Sequence, residues 1–287
     1  MQAVKNRHSG TRLVDTCFCL AYNHQRYEGS AFLLNDILQK YIDGRDYNKI
    51  TNDCVDWIRT WFEINGPQSP AVIGISGGKD SSVVAALCCR ALGKERVYGI
   101  LMPNGYQCDI DMSEKLVKEL DIPHTTINIK EPFDAMTKLI TESGIDMSNQ
   151  TRINLPPRLR MTTLYAMSQS MNGRVSNNCN KSENYVGYST IFGDAAGDFS
   201  PLGNLTVTEV KIIGRCLGLP EIFIEKPPSD GLTNKRDEDN FGFTYEDLDT
   251  YILTGICEDE EIRNKIDKRH RANLFKLKPM PEFEVTI

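Results

Sequence analysis

The period of apolar positions switches repeatedly along the chain, and each switch marks an element. Residues 1–45 are polar with weak periodicity and read as an extension, partly helical around 31–41. From Tyr47 to Phe62, the residues Ile50, Cys54, Trp57, Ile58 and Trp61 fall at helical spacing, and Gly66-Pro67 ends the run. Apolar strand-like runs then alternate with helical patterns. Strands are predicted at 71–75, 97–102, 124–129 and 173–176, and helices at 81–92, 111–120, 133–143 and 157–171, with Pro157 in the first turn of the last. This alternation predicts an α/β fold, a doubly wound parallel sheet with helices on both faces. Ligands in such sheets sit beyond the carboxyl ends of the strands. After Glu183 the pattern becomes loop-rich, but Thr206-x-x-Glu209 is a capping box that opens a helix to about 217. Further helices are predicted at 244–254 and 259–271. The expected organisation is an extension, 1–46, followed by one domain, 47–287.

The first strand runs into the most informative turn, Gly74-Ile75-Ser76-Gly77-Gly78-Lys79-Asp80-Ser81. Its glycines let the backbone turn without a Cβ penalty and approach a ligand closely. The first amides of the following helix lack intrahelical partners, and together with the helix dipole they favour an anion. Ser76, Ser81 and Ser82 add hydroxyls, and a carboxylate at Asp80 suits a magnesium ion beside phosphate. The spacing departs from a Walker A loop, because three residues separate Gly74 from Gly78 and Asp80 follows Lys79.

Composition narrows the class. The chain has 287 residues, 40% hydrophobic and 25% charged, with a formal net charge of −6. That is ordinary for a soluble globular protein and argues against a general nucleic-acid binder. The nine cysteines are odd in number and contain no Cys-x-x-Cys, so they read as small buried hydrophobes in a reducing compartment. Four scattered histidines argue against a zinc site. No stretch approaches a membrane span, and a cytoplasmic protein is expected.

Four more stretches carry candidate chemistry. Arg158 and Arg160 lie two apart on a helix, so one can face a phosphate while the other packs. Asn180-Lys181-Ser182-Glu183 follows a predicted strand, and Glu183 can complete a magnesium site with Asp80 or simply belong to a helix cap. Asp198, read as a buried acid, can accept a proton. The loop around Lys226-Pro227-Pro228-Ser229, like that at 193–205, is a candidate lid.

Ser-Gly-Gly-x-Asp-Ser after a strand resembles the pyrophosphate loop of the ATP pyrophosphatases, which split ATP between its α and β phosphates. Pro-Arg-x-Arg-Met, Asn-Lys-Ser-Glu, Gly-Asp with a later Pro-Leu-Gly-Asn-Leu, and Lys-Pro-Pro-Ser before Phe-Thr-Tyr-Glu-Asp-Leu-Asp follow in order. That order resembles the NAD synthetases over roughly residues 47–281. The resemblance implies a Rossmann-like ATP pyrophosphatase fold and ATP-dependent amidation of nicotinic acid adenine dinucleotide (deamido-NAD) through an acyl-adenylate. It implies ATP at residues 74–81 and Ser229, and magnesium at Asp80 and Glu183. It places the dinucleotide at Arg158, Asp198, Phe275 and Lys276, and a homodimer across which the dinucleotide site forms. Three positions depart from it. Asn178 stands for a threonine and is kept as an ATP contact. Ile191 and Val207 stand for lysines, and Lys211, one helical turn beyond Val207, is the substitute cation for the phosphates.

The expected catalytic residues are Lys79 and Asp80, which manage phosphate charge, and Asp198, which binds ammonium and takes its proton. Glutamine-using members of the family carry an amidase domain with a cysteine nucleophile; residues 1–46 cannot hold one, so direct use of ammonia is expected. Two rival readings are another ATP pyrophosphatase with a different acceptor and a nucleotide sensor without turnover.

Overall fold

The computed structural model describes residues 35–107, 110–225 and 237–285. The chain enters through helices α1 (Asp36–Asp43) and α2 (Tyr47–Asn65), capped by Asn35 and Asp46. Then β1 (Ala71–Gly74), α3 (Lys79–Leu92), β2 (Val97–Leu101), α4 (Ile110–Glu119), β3 (His124–Thr126), α5 (Lys130–Glu142), α6 (Asn149–Ser170) and β4 (Arg174–Val175) alternate. Helices α7 (Lys181–Val186), α8 (Val207–Cys216), α9 (Glu221–Ile224), α10 (Asp237–Phe241), α11 (Tyr245–Thr254) and α12 (Glu260–Asn273) complete the order, followed by a 3-10 turn at Leu274–Leu277.

All four strands are parallel, in the order β3-β2-β1-β4. The α/β doubly wound expectation holds, and the winding reverses between β1 and β4. A crevice at such a reversal is where open parallel sheets bind ligands. Alternation along β1 explains the layering. Ala71 and Ile73 enter one core with α1–α3, α8 and α9, while Val72 enters the other with Ile100 and Leu159, Leu164 and Met167 of α6. A third cluster, with Val186, Val207, Phe241, Phe243, Tyr245, Leu248 and Ile266, joins α7 and α8 to α10–α12.

Two expectations shift. Helix α6 starts at Asn149 rather than at Pro157, because Ser148 accepts from Thr151 N and starts the helix a full two turns upstream. Pro156 and Pro157 then lie inside it, and the packing of buried Pro156 outweighs the two missing backbone donors. Helix α1 lies within the segment expected as an extension. Leu38 and Ile42 nevertheless pack into the main core, and Asn35 Nδ2 donates to Thr250 Oγ1 of α11 at 2.9 Å.

Capping boxes open α7, α8 and α11. The start of α8 also receives a carboxylate from outside. Asp249 of α11 is fully buried, accepts from Thr208 N at 2.7 Å and accepts the hydroxyl of Ser182 of α7. One buried carboxylate thereby ties three helices together. At its other end α7 is clamped by the last helix. His270 Nδ1 donates to Tyr185 O (2.8 Å), Asn273 Nδ2 to Val186 O (3.3 Å) and Lys276 Nζ to Gly187 O (2.8 Å). Gly187 has φ +67°, and a Cβ there would lie 2.2 Å from Asn273, so only glycine permits this approach.

Burial pushes the Asp249 carboxyl up to about 6, against the opposing pull of Ser182 and Thr208. The folded state therefore holds a proton between pH 4 and 6 that the unfolded chain releases, and this group's contribution to stability falls as pH rises through that window. Urea denaturation of Asp249→Asn at pH 4 and pH 7 is expected to show a shallower loss across the interval than the parent, by about 2–3 kcal/mol. Parallel profiles would refute the assignment.

Candidate active site

The turn predicted from sequence sits at the carboxyl end of β1, facing the crevice. Gly77 has φ +71°, and a Cβ would lie 2.6 Å from Ser113 N, so glycine lets the turn pack against the first turns of α4. Within the turn, Ser76 Oγ accepts from Gly78 N (3.3 Å) and lies 3.1 Å from Ser81 Oγ. Ser81 and Ser82 hydroxyls donate back to Gly78 O at 3.1 and 2.8 Å. The serines therefore shape the turn. Ile75 is buried, with its amide on Ile100 O (2.9 Å), so it contributes to the site through its backbone.

Lys79 opens α3 with its side chain only 3% exposed, and Nζ donates to Asp80 Oδ2 at 2.8 Å. Its ammonium also stands over the Tyr245 ring, 5.6 Å from the centroid. Asp80 Oδ1 accepts from Asn180 Nδ2 at 3.0 Å. Asn180 in turn caps α7: its Oδ1 accepts from Glu183 N (3.0 Å), and its own N donates to Glu183 Oε2 (3.3 Å). The two carboxylates predicted to share a metal are thus brought to one asparagine. Among the described residues no group of three or more His, Cys, Asp and Glu forms a metal cage. Magnesium completes its shell with phosphate oxygens and waters, so two carboxylates at a polyphosphate turn fit it.

Asn178, expected at ATP, bridges the crevice: its Nδ2 donates to Gly74 O (3.0 Å) and its Oδ1 accepts from Ser176 Oγ (2.8 Å). Arg158 and Arg160 project differently. Arg160 is largely buried and donates Nε to Met102 O (3.0 Å), whereas Arg158 is exposed, with Nε on Ile191 O at 3.4 Å. Asp198 is exposed rather than buried, because it lies beside edge strand β4 at the sheet margin. Its Oδ2 accepts from Val175 N at 2.7 Å and its Oδ1 from Tyr165 OH at 3.2 Å. Lys276 also donates to Ser189 O (3.0 Å), and burial pulls its ammonium below the usual lysine value. Phe275 beside it is exposed. Lys211 lies in the second turn of α8 and donates to Glu225 Oε2 (2.7 Å), at the entrance to the segment 226–236. Ser229 and most of the second candidate lid lie outside the described residues.

A cavity of about 320 Å³ is lined by Asn177, Asn184, Ser189, Asp198, Ser200 and Lys276 among others. A larger one, about 510 Å³, lies at the carboxyl ends of α3 and α8 and contains none of the candidate residues. The smaller one holds Asp198 and Lys276 of the candidate residues and lies just past the carboxyl end of β4. Sequence reading named Asn180 only within the Asn180–Glu183 stretch, with a helix cap as one reading, and gave Tyr165 and Asp249 no role. The cap is present; the other two carried no local signal.

The six described cysteines are free thiols. Burial raises Cys54 to about 11 and Cys89 to about 12, which keeps them protonated and inert. Among the described residues no helix is long and apolar enough to cross a membrane.

Comparison with known proteins converges. Residues 50–284 match the family model of NAD synthase. An NH(3)-dependent NAD(+) synthetase from Finegoldia magna is 35% identical over 83% of this chain and 97% of its own length. Among solved structures, an NMN synthetase from Francisella tularensis superposes with a TM-score of 0.75 at 32% identity, covering 83% of this chain and all of that one. An NH3-dependent NAD synthetase from Campylobacter jejuni gives 0.68 at 32% identity, covering 84% and 100%.

The Asp80 carboxylate stands 2.8 Å from the buried Lys79 ammonium, and Asp80→Asn removes that charge from beside it. Asp80→Asn is therefore expected to cost about 1–3 kcal/mol of stability, and the double variant with Lys79→Met to cost less than the sum of the two single variants. Chemical denaturation of the parent, both single variants and the double variant measures the coupling. Additive losses would show that the pair does not hold the turn.

Proposed function

The chain belongs to the NAD synthase family, and from that premise we propose that it catalyses the ATP-dependent amidation of deamido-NAD to NAD with ammonia as nitrogen donor. The observation that carries the reading is the meeting of the Ser76–Gly77–Gly78 turn, Asp80 and the Asn180–Glu183 cap at the β1/β4 reversal. Relatives named for ammonia use match along nearly their whole length, which supports ammonia rather than glutamine.

Charge sets the order of events. The substrate carboxylate attacks the α-phosphate of ATP, and like charges oppose that approach. The amides at the start of α3, the Lys79 ammonium and exposed Arg158 offset the repulsion. Asp80 and Glu183 would hold a magnesium ion, which would supply Lewis-acid neutralisation of the phosphates. Pyrophosphate leaves, and the acyl-adenylate remains. Ammonia attacks the activated carbonyl and expels AMP. Only the free amine is nucleophilic, so Asp198, open to the cavity, receives ammonium and takes its proton.

Helix α5 has no buried residue; Met136 and Leu139 on it stand exposed, as does Ile153 of α6. A second copy of the chain covers this face in our reading, giving a homodimer. The free thiols fit a reducing compartment such as the cytoplasm.

A second acceptor has one observation in its favour. The similar Francisella structure is an NMN synthetase, and Ile191 here removes a charge expected near the dinucleotide. A mononucleotide acceptor offers the same nicotinate carboxylate without the second nucleotide.

The protein, incubated with magnesium, ATP, ammonium and either deamido-NAD or nicotinic acid mononucleotide, is expected to form NAD and AMP faster from the dinucleotide. Glutamine in place of ammonium is expected to give no product. Faster turnover of the mononucleotide would select the second acceptor, and ATP binding without turnover on either would remove the enzyme reading. Glu183→Gln preserves the cap but not the charge, so it is expected to raise the magnesium concentration for half-maximal activity about tenfold or more while leaving the melting temperature near that of the parent.

A further inference from the structure

Asp198 is held from two sides by elements of different origin. Its Oδ2 accepts from the amide of Val175 on β4 at 2.7 Å, and its backbone N donates to Val175 O at 2.8 Å. This side of the carboxylate is fixed to the edge of the sheet. Its Oδ1 accepts from the hydroxyl of Tyr165 at 3.2 Å, and Tyr165 belongs to α6. Each oxygen thus has one donor, and the lone pairs that remain belong to an exposed residue lining the cavity with Asn184 and Lys276.

Tyr165 also shares a stripe with Arg158. Arg158, Thr162 and Tyr165 follow at i, i+4 and i+7, so they project from one face of α6. Seven residues at helical rise separate the arginine from the tyrosine by about 10 Å along the axis. Helix α6 therefore offers a cation at one point and a carboxylate-orienting hydroxyl two turns further on. Burial, and after it the Asp198 charge, pushes the Tyr165 phenol up to about 12, so at neutral pH it stays protonated and donates.

We propose that Tyr165 is a positioning residue for ammonia delivery: it fixes the rotamer of Asp198, so that the carboxylate presents its free lone pairs to ammonium. The proposal rests on the reading of Asp198 as the group that receives ammonium. The Val175 amide alone leaves Oδ1 free to turn to solvent about the bond to Cγ. A second donor on the other oxygen removes that freedom. The proton released when ammonium becomes ammonia passes to this carboxylate, so its orientation sets how well ammonium binds.

Tyr165→Phe keeps the ring and removes only the donor. The variant is expected to raise KM for ammonium about five- to tenfold, the factor that one hydrogen bond supplies net, while KM for ATP and for the dinucleotide stays within about twofold. Asp198→Asn is assayed beside it. An unchanged ammonium KM in Tyr165→Phe overturns the proposal; if Asp198→Asn is impaired in ammonium use at the same time, the reading of Asp198 stands without it. If both variants use ammonium as the parent does, that reading falls as well. A loss in Tyr165→Phe spread evenly over all three substrates marks an architectural role and also overturns the proposal.

Discussion

Two parallel strands that end side by side leave a gap their backbones cannot bridge. Past Val72 and Val175 the β1/β4 ladder stops, and the polar groups beyond it at the crevice need side-chain partners. Asn178 supplies one for the backbone, bonding Gly74 O from the far side of the gap, and Asn180 supplies one for a side chain, bonding the Asp80 carboxylate. Everything else at the site hangs from these two amides. The cap on α7 sets Glu183, the Lys79 ammonium settles on the remaining oxygen of Asp80, and Tyr245 of α11 closes over that ammonium. A neutral amide suits the task because it donates and accepts at once and brings no charge of its own.

The departures from the family pattern acquire a physical setting. Val207 packs in the apolar cluster that contains Tyr245, the same ring that Lys79 stands over. Where a lysine on α8 is expected, the helix face is apolar. Ile191 offers its carbonyl to Arg158 from α6. Lys211, expected as the substitute, is engaged with Glu225.

Much of this was legible in the chain. Period switches located the four parallel strands and the main helices because the central strands β1 and β2 are buried on both faces and most helices on one. The turn at Ser76–Ser81 declared itself because glycine and serine at that spacing serve little else. Other features depend on distance in space and leave no local trace. Tyr165 meets Asp198 across 33 residues, and Ser182 meets Asp249 across 67. The upstream start of α6 was hidden because two prolines imitate a helix beginning, and Ser148 is an ordinary-looking cap. Asp198 was expected inside because its chemistry suggested shelter; the sheet ends at β4, and an acid at that margin meets water.

The clamp on α7 ties the order of synthesis to the order of assembly. Tyr185, Val186 and Gly187 present three successive carbonyls, and all three partners come from residues 270–276, near the end of the chain. The turn at Ser76 and the cap at Asn180 are made early, yet the helix bearing Glu183 has no fixed lower end until the last helix docks. A chain emerging from the ribosome therefore carries the turn at Ser76 long before the residues that fix the helix bearing Glu183, and the corner where Asn180 joins Asp80 to Glu183 is not held rigid until residues 270–276 have been made.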